Sequence, residues 1–149
     1  MKLDTGRRRA LQALAAGACL VIVRPATAES EELAPVLREL FGDRRIEQGK
    51  VTLDLPRLAE SGNVVPVTVS VDSPMTPQDY VKRIHLFAGE NPQPRIFDVE
   101  LGPHNGVAKL SSRVRISTSQ RVMAVAVLND DTLWSAEVDV EVTVTGCGT

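Results

Sequence analysis

Gln120-Arg121-Val122-Met123-Ala124-Val125-Ala126-Val127-Leu128, then Asn129-Asp130-Asp131-Thr132, then Leu133-Trp134-Ser135-Ala136-Glu137-Val138-Asp139-Val140-Glu141-Val142-Thr143-Val144-Thr145, is the stretch from which the fold can be read. From Val122 to Leu128 both odd and even positions are apolar. A strand needs that only when both its faces are covered, so this one reads as central in its sheet. Asn129-Asp130-Asp131-Thr132 supplies the hairpin turn, with Asp130 and Asp131 as turn formers whose side chains bond the local backbone. Beyond it the period is two: Val138, Val140, Val142 and Val144 are expected inside, with Glu137, Asp139, Glu141 and Thr143 outside. Trp134 reads as a packing residue of the core or of an interface.

Working outward, residues 107–116 form another strand, entered through the turn Gly102-Pro103-His104-Asn105-Gly106. Residues 95–101 and 80–88 are two more, separated by Gly89-Glu90-Asn91-Pro92. Asp72-Ser73-Pro74-Met75-Thr76-Pro77 is a loop, and before it Val65, Val67, Val69 and Val71 alternate with Pro66, Thr68 and Ser70. Pro66 has no amide proton for a ladder, which predicts an edge position or a strand limited to its later part. Across the turn Ser61-Gly62-Asn63, the run Val51, Leu53, Leu55 repeats the alternation. About seven short, valine-rich strands separated by turn signals predict an all-β chain, an immunoglobulin-like β-sandwich over residues 50–145, with a small barrel as the alternative.

Ahead of the strands, residues 29–49 hold a short helical segment, where Leu33, Val36, Leu37, Leu40 and Phe41 recur at helical spacing. Ser30 is the expected N-cap, Pro35 suits the first turn, and Gly42 is the stop. The apolar stripe is expected to dock on the sheet or on a partner.

Residues 1–28 read as an address. Arg7-Arg8-Arg9 opens it, residues 10–23 are apolar and alanine-rich, and Ala26-Thr27-Ala28 is a small-x-small cleavage site. The apolar run is short of the roughly 20 strongly apolar residues that span a bilayer, so no permanent membrane anchor is expected. The arginines favour a twin-arginine type of signal, which exports folded cargo, and point to the periplasm. Cys19 is expected to leave with this segment. Lys2, Arg7, Arg8, Arg9 and Arg24 fall in it against Asp4 alone. Of 17 basic and 19 acidic residues in the chain, about 12 and about 18 remain after cleavage. An excess of about six negative charges without clustered cations argues against nucleic acid as a partner.

Neither a catalytic triad nor a metal cluster stands out. His85, inside a strand, and His104, in a Gly-Pro turn, lack companions at ligand spacing, so no metal or cofactor is expected. The unusual feature is the end, Thr145-Gly146-Cys147-Gly148-Thr149. Once Cys19 is gone, Cys147 is the sole cysteine of a protein bound for an oxidising compartment, and it has no internal disulfide partner. Glycines on both sides free the backbone and remove bulk, so residues 146–149 read as a thin, flexible arm able to enter a narrow pocket. Cys147 can stand roughly 7 Å beyond Thr145. The C-terminal carboxylate and the acidic strand favour the neutral thiol over the nucleophilic thiolate, so activation falls to another protein. The tail alone leaves open a frayed end, an interchain disulfide in a secreted interaction module, or a carrier of covalently bound groups.

The tail resembles the Gly-Gly-Cys-Gly-Gly arm of the SoxY family of thiosulfate oxidation. The central run from Gly62 through Val71-Asp72-Ser73-Pro74-Met75-Thr76 is similar to that family's signature, as are Tyr80-Val81-Lys82-Arg83-Ile84-His85-Leu86-Phe87-Ala88-Gly89-Glu90-Asn91-Pro92 and Leu133-Trp134-Ser135-Ala136. The resemblance implies a non-catalytic carrier that holds thiosulfate-derived sulfur on Cys147, with Gly146 and Gly148 as its arm. It also implies a heterodimer with a SoxZ-like subunit. A SoxAX-like c-type cytochrome complex would load the cysteine and a SoxB-like hydrolase would release sulfate. In some organisms a SoxCD-like molybdenum–haem dehydrogenase would oxidise the remaining sulfur. Thr145 and Thr149 stand where the family has its outer glycines, and β-branched threonine is stiffer.

Overall fold

A computed structural model describes residues 31–144. They form one helix, α1 (Ala34–Phe41), and nine strands: β1 (Ile46–Gln48), β2 (Val51–Asp54), β3 (Leu58–Ser61), β4 (Val65–Val71), β5 (Val81–Ala88), β6 (Arg95–Glu100), β7 (Lys109–Val114), β8 (Gln120–Leu128) and β9 (Leu133–Val144). The larger sheet has six strands in the order β1-β9-β8-β5-β6, with β3 also on β9, and the smaller has three in the order β2-β4-β7. The two face each other as a β-sandwich.

Burial follows from this layering. Val65, Val67 and Val69 of β4 project from the smaller sheet onto Ile84 and Leu86 of β5 and Val122, Ala124 and Ala126 of β8. β8 lies between β9 and β5, as its two apolar faces require, with Gln120 opposite Val140 and Leu128 opposite Val81. Its other face, Met123, Val125 and Val127, is covered by Leu33, Leu37 and Phe41 of the helical segment, together with Phe87 and Leu133. The helix thus docks on the sheet and makes β8 apolar all round. Leu33 occupies the N-cap without a side-chain bond, Pro35 lies in the first turn, and Gly42 closes the helix at φ 64°. Ser30, the expected cap, lies outside the described residues.

Two expectations are corrected. Pro66 does not mark an edge strand, because β4 is the middle of the smaller sheet. Its register with β2 covers only Thr68 to Val71, while that with β7 begins at Val65. Pro66 therefore stands beyond the end of β2, where a missing amide proton interrupts no ladder. The seven expected strands become nine, because β1 and β3 each add a short parallel pairing to β9. Three- and four-residue strands are too brief for their alternation to be read from sequence. Met75, expected in a loop, is that loop's plug into the core, 5% exposed at φ 52°.

Candidate functional site

Cys147, Gly146 and Gly148, the carrier residues expected from the sequence, lie outside the described residues, as does the 1–28 segment. The structure defines the support from which the tail departs. Residues 133–140 of β9 pair with β8, but β8 begins only at Gln120. Past that point Ser119 takes over the same edge. Its Oγ accepts the Val142 N–H at 2.8 Å and donates to the Val142 carbonyl at 3.4 Å. On the opposite edge β3 runs parallel, with Leu58 against Glu141 and Ser61 against Val144. The Glu141 N–H donates to the Arg57 carbonyl at 2.7 Å, and the Thr143 hydroxyl donates to the Glu60 carbonyl at 3.2 Å. Each such bond contributes about 0.5–1.5 kcal/mol, so β9 is held on both edges almost to the tail.

Gly62 makes this clasp fit. A Cβ there would stand 1.9 Å from the Ile116 carbonyl oxygen and 3.2 Å from Val142 Cγ1. The Gly62 carbonyl accepts the Ile116 N–H at 2.7 Å, which ties β3's end to the segment after β7. Its φ is not in the left-handed region, so the demand is for space alone.

At the same pole Asn91 fixes residues 115–117. Its Nδ2 donates to the Arg115 carbonyl at 2.8 Å, and its Oδ1 accepts the Ser117 N–H at 2.9 Å and Gln120 Nε2 at 3.0 Å. Between this clasp and the start of β6 lies a trough of about 390 Å³ walled by Asn91, Pro92, Gln93, Arg95, Ile96, Arg115 and Ser117. Sequence reading missed it, because it saw Asn91 only as a turn residue. Its walls come from segments roughly 20 residues apart.

The acidic face expected on β9 is partly compensated. Arg121 on β8 reaches Asp139 at 2.8 Å and Glu137 at 3.5 Å, and the bond to Asp139 raises the guanidinium pKa above its ordinary value. His85 is buried beneath the helix. Its Nδ1 and Asp98 Oδ1 are 2.6 Å apart, Phe87 stacks at 5.8 Å, and Phe41 meets it edge-on at 5.2 Å. Burial pulls its pKa below 6.5, outweighing the opposing effect of Asp98. His104 is exposed in a short 3-10 turn on a different part of the molecule. Among the described residues, no group of three or more His, Cys, Asp or Glu is placed to hold a metal ion. Asp130 serves the turn, with its Oδ1 accepting the Thr132 hydroxyl at 2.6 Å and amide at 3.0 Å, which lowers its pKa. Asp131 turns at φ 65° and pairs with Lys82 at 2.8 Å. Trp134 packs against the sandwich core and carries Lys50 Nζ at 4.9 Å from its ring.

Known structures share this sandwich. The sulfur carrier protein SoxY from Chlorobium limicola f thiosulfatophilum matches with a TM-score of 0.64 at 24% identity, covering 76% of this chain and 97% of that one. Superoxide reductase (neelaredoxin) from Ignicoccus hospitalis matches at 0.56 and 19% identity, covering 63% and 80%. Superoxide reductase from Nanoarchaeum equitans matches at 0.54 and 13%, covering 64% and 100%. At such identities the likeness defines a class by fold, a β-sandwich that hosts more than one function. Comparison with curated proteins gives no match. The family is decided by the model for sulfur oxidation protein SoxY, which matches residues 37–147. The chain belongs to the SoxY family.

Proposed function

We propose that the chain is a carrier, not a catalyst, in periplasmic thiosulfate oxidation, holding sulfur intermediates covalently on Cys147 and offering them to partner enzymes. The observation that carries this reading is the family match, which runs through residue 147 and so takes in the sole cysteine left after leader removal. The double-edged clasp on β9 supports it mechanically. A strand anchored to Val144 keeps the body folded while the last five residues enter another protein.

Loading joins the Cys147 sulfur to the outer sulfur of thiosulfate. The thiol proton goes to solvent, and two electrons go to a SoxAX-like c-type cytochrome complex, leaving Cys–S–S–SO3⁻. A SoxB-like hydrolase then adds water across the terminal S–S bond, which releases sulfate and two protons and leaves a persulfide anion on the cysteine. A SoxCD-like dehydrogenase is the candidate oxidant of that sulfur, and a SoxZ-like subunit is the standing partner. Gly146 and Gly148 serve by offering no side chain to a narrow entrance.

Incubation with thiosulfate and the matching cytochrome complex, followed by intact-mass and peptide analysis without reductant, tests the reading. The expected result is a thiosulfonate adduct on the C-terminal peptide that Cys147→Ser abolishes. A disulfide-linked dimer with no adduct under turnover would instead identify a secreted interaction module.

A further inference from the structure

We propose that the trough between Arg95 and Arg115 is a resting site for the sulfonate end of the group carried on Cys147. This rests on the carrier reading and adds a place on the body where the charged cargo can dock between encounters.

Three features of the trough point to a sulfur oxyanion. Among the described residues two arginines stand in its walls, and no acidic residue does. Neighbouring clefts differ in this respect: that beneath the helix includes Glu100, that beside β9 includes Glu137 and Asp139, and that at the outer helix face includes Glu39. Secondly, the other polar side chains among its described wall residues are the amides of Asn91 and Gln93 and the Ser117 hydroxyl, neutral groups that can donate to sulfonate oxygens. Thirdly, the trough has a scaffold. Asn91 fixes the backbone on both sides of Ile116 through Arg115 and Ser117, and Arg95 is tethered by a 3.4 Å pair with Asp98 that occupies one of its five donors. Planar guanidinium forks suit the oxygens of such an anion.

Location completes the case. The root of the tail and the trough share a pole, because Ser119 holds Val142 at 2.8 Å and Ser117 lies two residues from Ser119. Two residues span at most about 7 Å, while the five from Val142 to Cys147 span up to about 17 Å, and each further S–S bond adds about 2 Å. The cargo can therefore reach the arginines without any movement of the sandwich. Docking there would also shield the sulfonate-bearing S–S bond from stray thiols between enzymes.

The test uses the full chain carrying Cys19→Ser, so that Cys147 is its single thiol. Tetrathionate loads it chemically. The Cys147 thiolate attacks a central sulfur, one S–S bond forms, the central S–S bond breaks, and thiosulfate leaves with the electron pair. Mass analysis verifies the Cys–S–S–SO3⁻ product, and backbone amide NMR reads its position. Loading is expected to shift the amides of Asn91, Gln93, Arg95, Ile96 and residues 115–117, with shifts that shrink as salt is raised. The double variant Arg95→Gln/Arg115→Gln, its fold checked by circular dichroism, is expected to lose them. In Cys147→Ser, free thiosulfate is expected to move the same resonances, with each single arginine variant binding about tenfold more weakly, the ratio for about 1.4 kcal/mol.

A verified adduct that leaves these amides unmoved overturns the proposal, as does an unchanged response in the double variant. A trough that answers only to free thiosulfate overturns it as a resting site for the arm. Because loading is chemical, none of these outcomes depends on the cytochrome complex. The carrier reading stands or falls separately, on enzymatic adduct formation.

Discussion

Replacing Gly62 by alanine puts a methyl group 1.9 Å from the Ile116 carbonyl oxygen, where ordinary contact is above 3 Å, and 3.2 Å from Val142 Cγ1. Two effects oppose each other. Gly62 is not in the left-handed region, so alanine would by itself stabilise by about 0.4–1 kcal/mol through a less flexible unfolded chain. Against this, backbone must move by over about 1 Å, an overpacking penalty of about 1–3 kcal/mol. The movement also strains or breaks the Ile116 N–H bond to Gly62, worth a further 0.5–1.5 kcal/mol or so. The steric side wins, for a net loss of about 1–3 kcal/mol. Urea unfolding at constant m-value measures it. Gly102→Ala is the control. There the atoms nearest the added methyl belong to the ring of exposed His104, at 2.8 Å, which can swing away, so a change within about 0.5 kcal/mol is expected. If Gly62→Ala is as stable as the parent, or the two substitutions behave alike, the close approach at the root of β9 is refuted. If the loss is real, hydrogen exchange should also rise at Val142 and Ile116, showing the clasp loosened where the tail begins.

Further outcomes follow from the helix and its buried histidine. Phe41→Ala, at a ring 6% exposed that meets Phe87 and His85 edge-on, is expected to cost about 3–4 kcal/mol and to raise exchange over Ala34–Phe41 before the rest of the sandwich. Burial holds the folded pKa of His85 below its unfolded value near 6.5, so the unfolded chain binds the proton more readily. This contribution to stability is complete above pH 6.5 and is lost as pH falls from there through the folded pKa. His85→Phe should flatten that part of the stability–pH profile, and an unchanged slope would rule the histidine out as its source. Lys82→Ala, which removes a half-exposed pair with Asp131, should lower stability by under 1 kcal/mol, as read from the same unfolding curves.

Much of the architecture was legible because burial imprints itself on period. Gln120–Leu128 advertised a doubly covered strand, and the valines of β4, with Val140 and Val142 of β9, advertised one inner face each. The helix with its Gly42 stop was equally plain, since its apolar residues recur at helical spacing.

What sequence could not reveal is whatever depends on register and on distant segments meeting. Pro66 looked like an edge signal, yet the length of β2 decides whether its missing proton matters, and β2 stops short of it. The parallel strands β1 and β3 carry too few residues for any period to show; they exist because the edge of β9 offers them hydrogen bonds. His85 found Asp98 only through the pairing of β5 with β6, and Arg121 found Asp139 only through that of β8 with β9. The same holds for the arginine-walled trough, where Asn91 draws together two loops that are neighbours in space alone. Local pattern is written in each residue's exposure to water, which any strand or helix repeats along its length. Meeting points depend on how whole elements stack, and no single stretch of chain contains that information.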